Sequence, residues 1–325
     1  MPVVNTVRGP VDVADLGQTL MHEHVFVISP EHVDNHGRGA WWDEEFRVAD
    51  AVAKLRAVAA KGVRTIVDPT VWGLGRYIPR VQRVAEQVPE LNIVVATGIY
   101  SYDEVPFHYL HRGPGLMMDV PEPMVEDFTR DIADGIADTG VRAAFLKCVV
   151  EGKGLTPGVE RICRAVARTH LETGVPITVH TNPSAGTGLL ALELFRREGV
   201  DPAKVVLGHS GDTNDLDHLM RLADTGATLG MDRFGLDAYN PTPSRVATIA
   251  ALCERGYADR MVLSHDTACF MDYFGGAWDE DIPLVAPNWR FDHVHDDVLP
   301  ALREAGVTDG QIDRMLVDNP RRYFS

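Results

Sequence analysis

The feature that most constrains this chain is a repeat of pattern: a short apolar run, then an amphipathic stretch that stops at a glycine. Eight such runs occur, at residues 18–25, 63–68, 92–100, 141–149, 175–181, 204–209, 227–233 and 260–266. Most are nearly continuous in Val, Ile, Leu and Ala, the signature of strands buried on both faces of a parallel sheet. The stretch 47–61 places Val48, Val52, Leu55 and Val58 at helical spacing, and Gly62 stops it. Stretches 121–139, 157–173, 189–198, 212–225, 243–255 and 298–305 end likewise at Gly140, Gly174, Gly199, Gly226, Gly256 and Gly306. Asp212 is the expected N-cap of the fifth stretch. Eight βα units predict an α/β fold, the (β/α)8 or TIM barrel, as a single domain over residues 1–325. The rival, a doubly wound sheet, needs a glycine-rich phosphate turn after an early strand. Gly186-Thr187-Gly188 lacks the third glycine and comes late in the chain.

Length alone leaves one domain or two open, because barrels of this size are commonly one domain. Forty-seven acidic against 31 basic side chains give a net charge of −16, which argues against nucleic acid and anionic membranes as partners. The four cysteines, Cys148, Cys163, Cys253 and Cys269, form no Cys-x-x-Cys pair. Free thiols suggest a reducing compartment, and with no apolar leader in the first twenty residues the expected location is the cytoplasm.

The runs end in residues of metal and acid–base chemistry. The first carries His22 and His24, two positions apart, so a strand presents both imidazoles on one face as a ready ligand pair. Alone this is weak, since a single such histidine is more often a hydrogen-bonded core residue. Lys147, His180, His209 and Asp266 end four later runs. Taken singly, each has an ordinary structural explanation. In a barrel all of them lie at the C-terminal ends of the strands, where barrel enzymes place their sites. His265 alternates to the other face from Asp266 and reads as packing, and Asp232 reads as structural. His32, His36, His108, His111, His170, His218, His293 and His295 lie outside this set and are expected to be structural or exposed.

The order His-x-His, Lys, His, His, Asp resembles the amidohydrolase superfamily and, within it, the phosphotriesterase family along the whole chain. The segments that carry the likeness are Leu20-Met21-His22-Glu23-His24-Val25, Thr97-Gly98-Ile99-Tyr100, Leu146-Lys147, His209-Ser210-Gly211-Asp212, Met231-Asp232-Arg233-Phe234-Gly235, Leu263-Ser264-His265-Asp266 and Asp318-Asn319-Pro320. The resemblance implies two divalent ions (Zn, Co, Mn or Fe), one held by His22, His24 and Asp266 and the other by His180 and His209. It implies a carbamate on Lys147 and a hydroxide bridging the two ions. A protonated lysine has no lone pair for a metal, which is why the carbamate is needed. Two divalent ions balanced by Asp266, carbamate and hydroxide leave one positive charge to stabilise an oxyanion. In this scheme Asp266 moves the proton, Tyr100 bonds the reacting ester and Arg233 holds a substrate amide or carbonyl.

Two long stretches follow strand ends, 101–119 and 267–292, and loops of this length are usually lids or binding loops. The second supplies Phe270, Tyr273, Phe274 and Trp289, which with Tyr100 and Arg233 form the expected substrate pocket. A short stretch after strand seven, a long apolar one after strand eight and Tyr100 itself resemble the lactonase branch of the family. That implies hydrolysis of N-acyl-homoserine lactones or related lactones, with organophosphate triesters as a side activity. Where that branch often carries Trp seven residues after the metal Asp, this chain has Tyr273. A primary phosphotriesterase, a hydrolase opening a cyclic amide, and a barrel that binds without catalysis are the alternatives. The likeness also implies a homodimer, with residues 100–110 as the contact.

Overall fold

A computed structural model describes residues 2–37 and 42–325. β1 (Val3–Thr6) and β2 (Gly9–Asp12) form an antiparallel hairpin ahead of the barrel. The barrel begins with β3 (Gln18–Leu20), which breaks and continues as β4 (His24–Val27). β5 (Val63–Asp68), β6 (Asn92–Gly98), β7 (Phe145–Val150), β8 (Ile177–Thr181), β9 (Val205–Gly208), β10 (Thr228–Met231) and β11 (Met261–Leu263) follow. The last is prolonged by β12 (Ala268–Met271). Eight strands run in one sheet in the order β3-β5-β6-β7-β8-β9-β10-β11, each pair parallel. The two ends of this sheet meet. Met21 N donates to Leu263 O (3.4 Å) and Asp266 N to His22 O (3.0 Å). His24 N donates to Thr267 O (2.8 Å), and β12 pairs with β4 in parallel. The sheet is thereby closed as a (β/α)8 barrel.

Helices cover the outside. Helix Glu44–Ala60 is capped by Asp43, whose carboxylate accepts from Phe46 N at 3.1 Å, and it buries Val48, Val52, Leu55 and Val58, the stripe read from the sequence. Burying a leucine such as Leu55 stabilises the fold by roughly 2 kcal/mol. Helix Pro157–Thr173 starts on its Thr156 cap and ends at Gly174, left-handed at φ 78°. Gly98 lets β6 approach β7: a Cβ there would lie 1.9 Å from Lys147 O.

Several expectations are corrected. Strand one is not continuous over 18–25. Glu23 N turns to Val67 O (3.0 Å) and Val25 N to the Asp68 carboxylate (3.2 Å), so His22 lies in a break rather than on a strand. Residues 141–144 precede strand four, and the helix before it spans Pro123–Ala133, ended by the turn at Gly135 (φ 129°). The stretch 267–292 is not a plain loop: it holds β12, a 3-10 turn at Asp272–Ala277 and helix Trp278–Val285. Asp212 does not cap a helix. Helix Leu216–Asp224 is capped by Asp215, which accepts from His218 N at 3.0 Å. Among the described residues no helix is long and apolar enough to cross a membrane.

Candidate metal centre

The strand ends converge on one buried cluster. Parallel strands run towards one end of a barrel, so β7 and β8 carry Lys147 and His180 to the same side and His209 directly follows β9. The closure break carries His22, β4 opens on His24, and Asp266 lies between β11 and β12. His209 (φ 67°) and Asp266 (φ 54°) are two of three non-glycine residues with positive φ among those described. Left-handed backbone costs energy for such residues and clusters at functional sites.

Two groups of atoms point inward. Asp266 Oδ1 is 3.2 Å from His22 Nε2 and 3.3 Å from His24 Nε2. His209 Nε2 is 2.9 Å from His180 Nδ1. On His22, His24 and His209 the nitrogen facing away is held by a partner. Asp232 accepts from His22 Nδ1 at 2.9 Å, from His209 Nδ1 at 3.0 Å and from His209 N at 2.7 Å. His24 Nδ1 bonds Thr70 Oγ1 at 2.7 Å, and Thr70 is backed by Asp68. Gly230 makes room for Asp232, since a Cβ there would lie 2.6 Å from Asp232 Oδ2. Around the rim, Arg233 Nε donates to Asp266 Oδ2 (2.9 Å) and Arg233 Nη1 to Asp212 Oδ2 (2.9 Å). Arg245 Nη2 holds the other Asp212 oxygen at 2.7 Å. Tyr100 Oη is 3.5 Å from His180 Nδ1 and 2.6 Å from Tyr102 Oη.

Burial dominates the electrostatics. It pushes His180 down to about 4, and it lowers His22 and His209 as well, Lys147 adding to the effect at His22 and Arg233 at His209. Imidazoles so placed are neutral at pH 7, the form that ligates metal. Burial opposes the charge on His24 too, but Asp266 and Asp68 outweigh it and raise this residue to about 9. Burial lowers Lys147 to about 8. At Asp266 burial favours the acid, yet His22, His209, His24 and Arg233 hold the carboxyl well below the usual range.

The sequence matches the family model of the phosphotriesterase family over residues 2–324. It is 54% identical over 324 residues to the "phosphotriesterase homology protein" of Mycobacterium tuberculosis, covering 100% of this chain and 98% of that one. The chain belongs to the phosphotriesterase family. The "aryldialkylphosphatase" of Saccharolobus solfataricus is 38% identical, with 98% of each chain covered. A solved structure of the phosphotriesterase from Mycobacterium tuberculosis superposes with a TM-score of 0.96 at 54% identity, covering 100% of this chain and 98% of that one. The protein is therefore a hydrolase, of a family that depends on a binuclear metal centre.

The residues present fit such a centre. His22, His24 and Asp266 each offer a ligand atom within 4.8 Å of the others. Lys147 is 1% exposed and its Nζ has no hydrogen-bond partner. A buried amine left unpaired is costly unless something else meets it there. His22 and His209, whose outer nitrogens bond the Asp232 carboxylate while their Nε2 atoms point into the cluster, have the arrangement of metal-bound histidines.

The expected pocket residues are placed unequally. Tyr100, Arg233 and Asp266 stand beside the imidazoles. Tyr273 is 56% exposed, near enough to Tyr102 and Asp266 to feel their charge. Phe274 is exposed and packs on Trp278. Phe270 and Trp289 are not brought to the cluster. Phe270 is 0% exposed, packed on Trp42 and Trp278 with the Arg47 guanidinium 3.9 Å from its ring centroid. Trp289 is buried and donates Nε1–H to His265 O at 2.9 Å. Strand alternation explains Phe270: β12 turns it outward beneath the helices. His265 is fully buried, bonded to Glu23 through Nδ1 and accepting from Val294 N through Nε2. Sequence reasoning missed Thr70, Asp68, Tyr102 and Glu151 and set Asp232 aside as structural. The adjacency of Asp232 to Arg233 at a strand end was the one available signal.

Proposed function

We propose that this protein is a metal-dependent lactonase acting on N-acyl-homoserine lactones or related lactones, with organophosphate triester hydrolysis as a side activity. The observation that carries this reading is the Tyr100 hydroxyl, 3.5 Å from His180 Nδ1, beside a cluster whose Asp266 is held by Arg233. In it His22, His24 and Asp266 would hold one divalent ion and His180 and His209 the other, with Lys147 contributing to both as a carbamate. Zn, Co, Mn and Fe all suit imidazole with carboxylate. When bound, the two ions supply a hydroxide nucleophile at neutral pH and polarise the scissile bond.

The chain's own groups do the rest. Burial of Lys147 favours the neutral amine, the form that adds carbon dioxide. Asp266 is ionised and able to take a proton and pass it to the leaving oxygen. Arg233, locked between Asp266 and Asp212, presents its remaining N–H groups to a substrate carbonyl. Tyr100 keeps its proton, because burial raises its pKa well above normal, so it can donate to a ring ester oxygen. A planar carbonyl needs one oxyanion partner and one such bond, whereas a triester needs room for three substituents. Each misplaced group costs on the order of 1–3 kcal/mol in the transition state.

A second reading has its own support: the relative named aryldialkylphosphatase is 38% identical over nearly the whole chain, which favours phosphate triesters as the main substrates. The deciding experiment compares kcat/KM for a medium-chain acyl-homoserine lactone and an aryl dialkyl phosphate triester on one metal-loaded batch. The lactone should win by at least tenfold. Equal values, or a better triester, give the assignment to the second reading. The four free, buried cysteines favour a cytoplasmic location, and the exposed apolar surface at Phe107, Leu110, Met117 and Met118 favours a homodimer.

A further inference from the structure

Three of the four imidazoles are gripped on the nitrogen that faces away from the cluster, His22 and His209 by Asp232 and His24 by Thr70. His180 differs. Its Nδ1 is the converging atom, 2.9 Å from His209 Nε2. Its outer Nε2 is buried without a hydrogen-bond partner, and Glu151 Oε1 stands 3.6 Å from it, just beyond bonding distance. Glu151 is not there by chance of rotamer. Its Oε2 accepts from Asn182 Nδ2 at 2.8 Å and from the backbone N–H of Gly152. Asn182 is itself oriented: its Oδ1 accepts from Ala185 N at 3.2 Å, so its amide nitrogen is the end that meets Glu151. Glu151 directly follows β7 and Asn182 directly follows β8, so the tips of two neighbouring strands aim one carboxylate at one imidazole.

We propose that Glu151 is the positioning residue of His180: Oε1 accepts the Nε2 proton and leaves the Nδ1 lone pair facing His209. This rests on the metal-dependent reading given above. A neutral imidazole carries one proton, and which nitrogen holds it is set by the partner on the other side. Without an acceptor at Nε2, the proton is free to sit on Nδ1, and His180 stops being a ligand. Closing the gap to bonding distance takes a movement of ~0.7 Å, small for a partly exposed side chain. The carboxylate also raises the basicity of the ring it bonds. The two halves of the centre are then held differently. Asp232 grips its histidines from a buried, rigid position, while Glu151 grips His180 from a solvent-facing strand tip. The ion at His180 and His209 is accordingly the one whose retention depends on Glu151.

The test titrates Zn(II)- and Co(II)-loaded protein with a chelator and counts bound metal by elemental analysis, for wild type, Glu151→Ala, Glu151→Gln and Asn182→Ala. Wild type should release two ions in two steps. In Glu151→Ala the weaker step should shift by about 10-fold to 100-fold while the tighter step stays within about twofold. Glu151→Gln keeps an acceptor oxygen and should recover part of the loss. Asn182→Ala should shift the same step in the same direction. The visible absorption of Co(II) at the weaker site should change in Glu151→Ala. A weaker step that does not move, or equal weakening of both steps with a lower melting temperature of the metal-free protein, overturns the proposal. If Glu151→Ala does not fold, Glu151→Gln and Asn182→Ala decide by the same criteria. A wild type that binds fewer than two ions overturns the metal reading itself, and this proposal with it.

Discussion

Replacing Asp232 by asparagine removes one charge and almost no volume, and it strikes both halves of the centre. Asp232 is buried, and its two oxygens take three donors: His22 Nδ1, His209 Nδ1 and His209 N. Asparagine offers one oxygen. If that oxygen keeps the two bonds to His209, the amide nitrogen faces the Nδ1 proton of His22, donor against donor. His22 relieves the clash only by moving its proton to Nε2, the atom 3.2 Å from Asp266 Oδ1. It then no longer offers a lone pair to a metal. A lost charge-assisted bond in a buried site costs ~1.5–3 kcal/mol. Losing such a carboxylate behind a metal-bound histidine typically costs 10-fold to 100-fold in metal affinity. At ~1.4 kcal/mol per tenfold, the two routes agree. The assay is metal retention of Asp232→Asn against a chelator series, beside the melting temperature of the metal-free protein. Retention equal to wild type at every chelator concentration would show that Asp232 does not hold the ligands as argued.

Glu23→Gln should destabilise the fold by ~2–4 kcal/mol in urea unfolding, because the buried Glu23 carboxylate takes four donors from Ser264, His265 and Thr267 and so fastens strand one to strand eight. An unchanged midpoint would argue against that fastening. His295 is lowered to about 4, first by burial and then by His265, against 6.5 in the unfolded chain. The unfolded state therefore binds more protons between these values, and this part of the stability is present above pH 6.5 and lost as the pH falls towards 4, ~3 kcal/mol in all. His295→Gln should flatten the fall in stability between pH 7 and 4.5 relative to wild type, and an identical fall would refute the assignment. Phe107 and Met117 are each 81% exposed. The wild type should run as a homodimer in light scattering, and Phe107→Asp with Met117→Glu should give a monomer; a monomeric wild type rules out the dimer.

The barrel was legible because strands buried on both faces read as unbroken apolar runs, and because a glycine marks the end of almost every helix. What the sequence concealed depends on contacts between distant residues. Glu23 sits between two histidines, and its partners are more than 240 positions away. The bonds of Glu23 N to Val67 O and of Val25 N to Asp68 break strand one at residues 21–23, where alternation alone predicts a continuous strand. β12 hides inside an aromatic stretch that reads as a lid, and once it pairs with β4 it turns Phe270 away from the cluster. Asp212 has the look of a helix cap, but Arg233 and Arg245 claim its carboxylate. At the centre, the residues with metal chemistry stood out by type and spacing. Those that orient them, Thr70, Asp68, Glu151 and Asp232, are ordinary residue types whose role appears only when the strand tips meet.

The central claim is a two-ion centre linked through Lys147, and metal content measures it most directly. Wild-type protein loaded with Zn(II) in bicarbonate buffer and freed of loose metal should hold two ions per chain. Lys147→Ala should lose metal and activity, and a short added carboxylate should restore part of both. One ion or none in the wild type, or two ions retained in Lys147→Ala, would contradict the account.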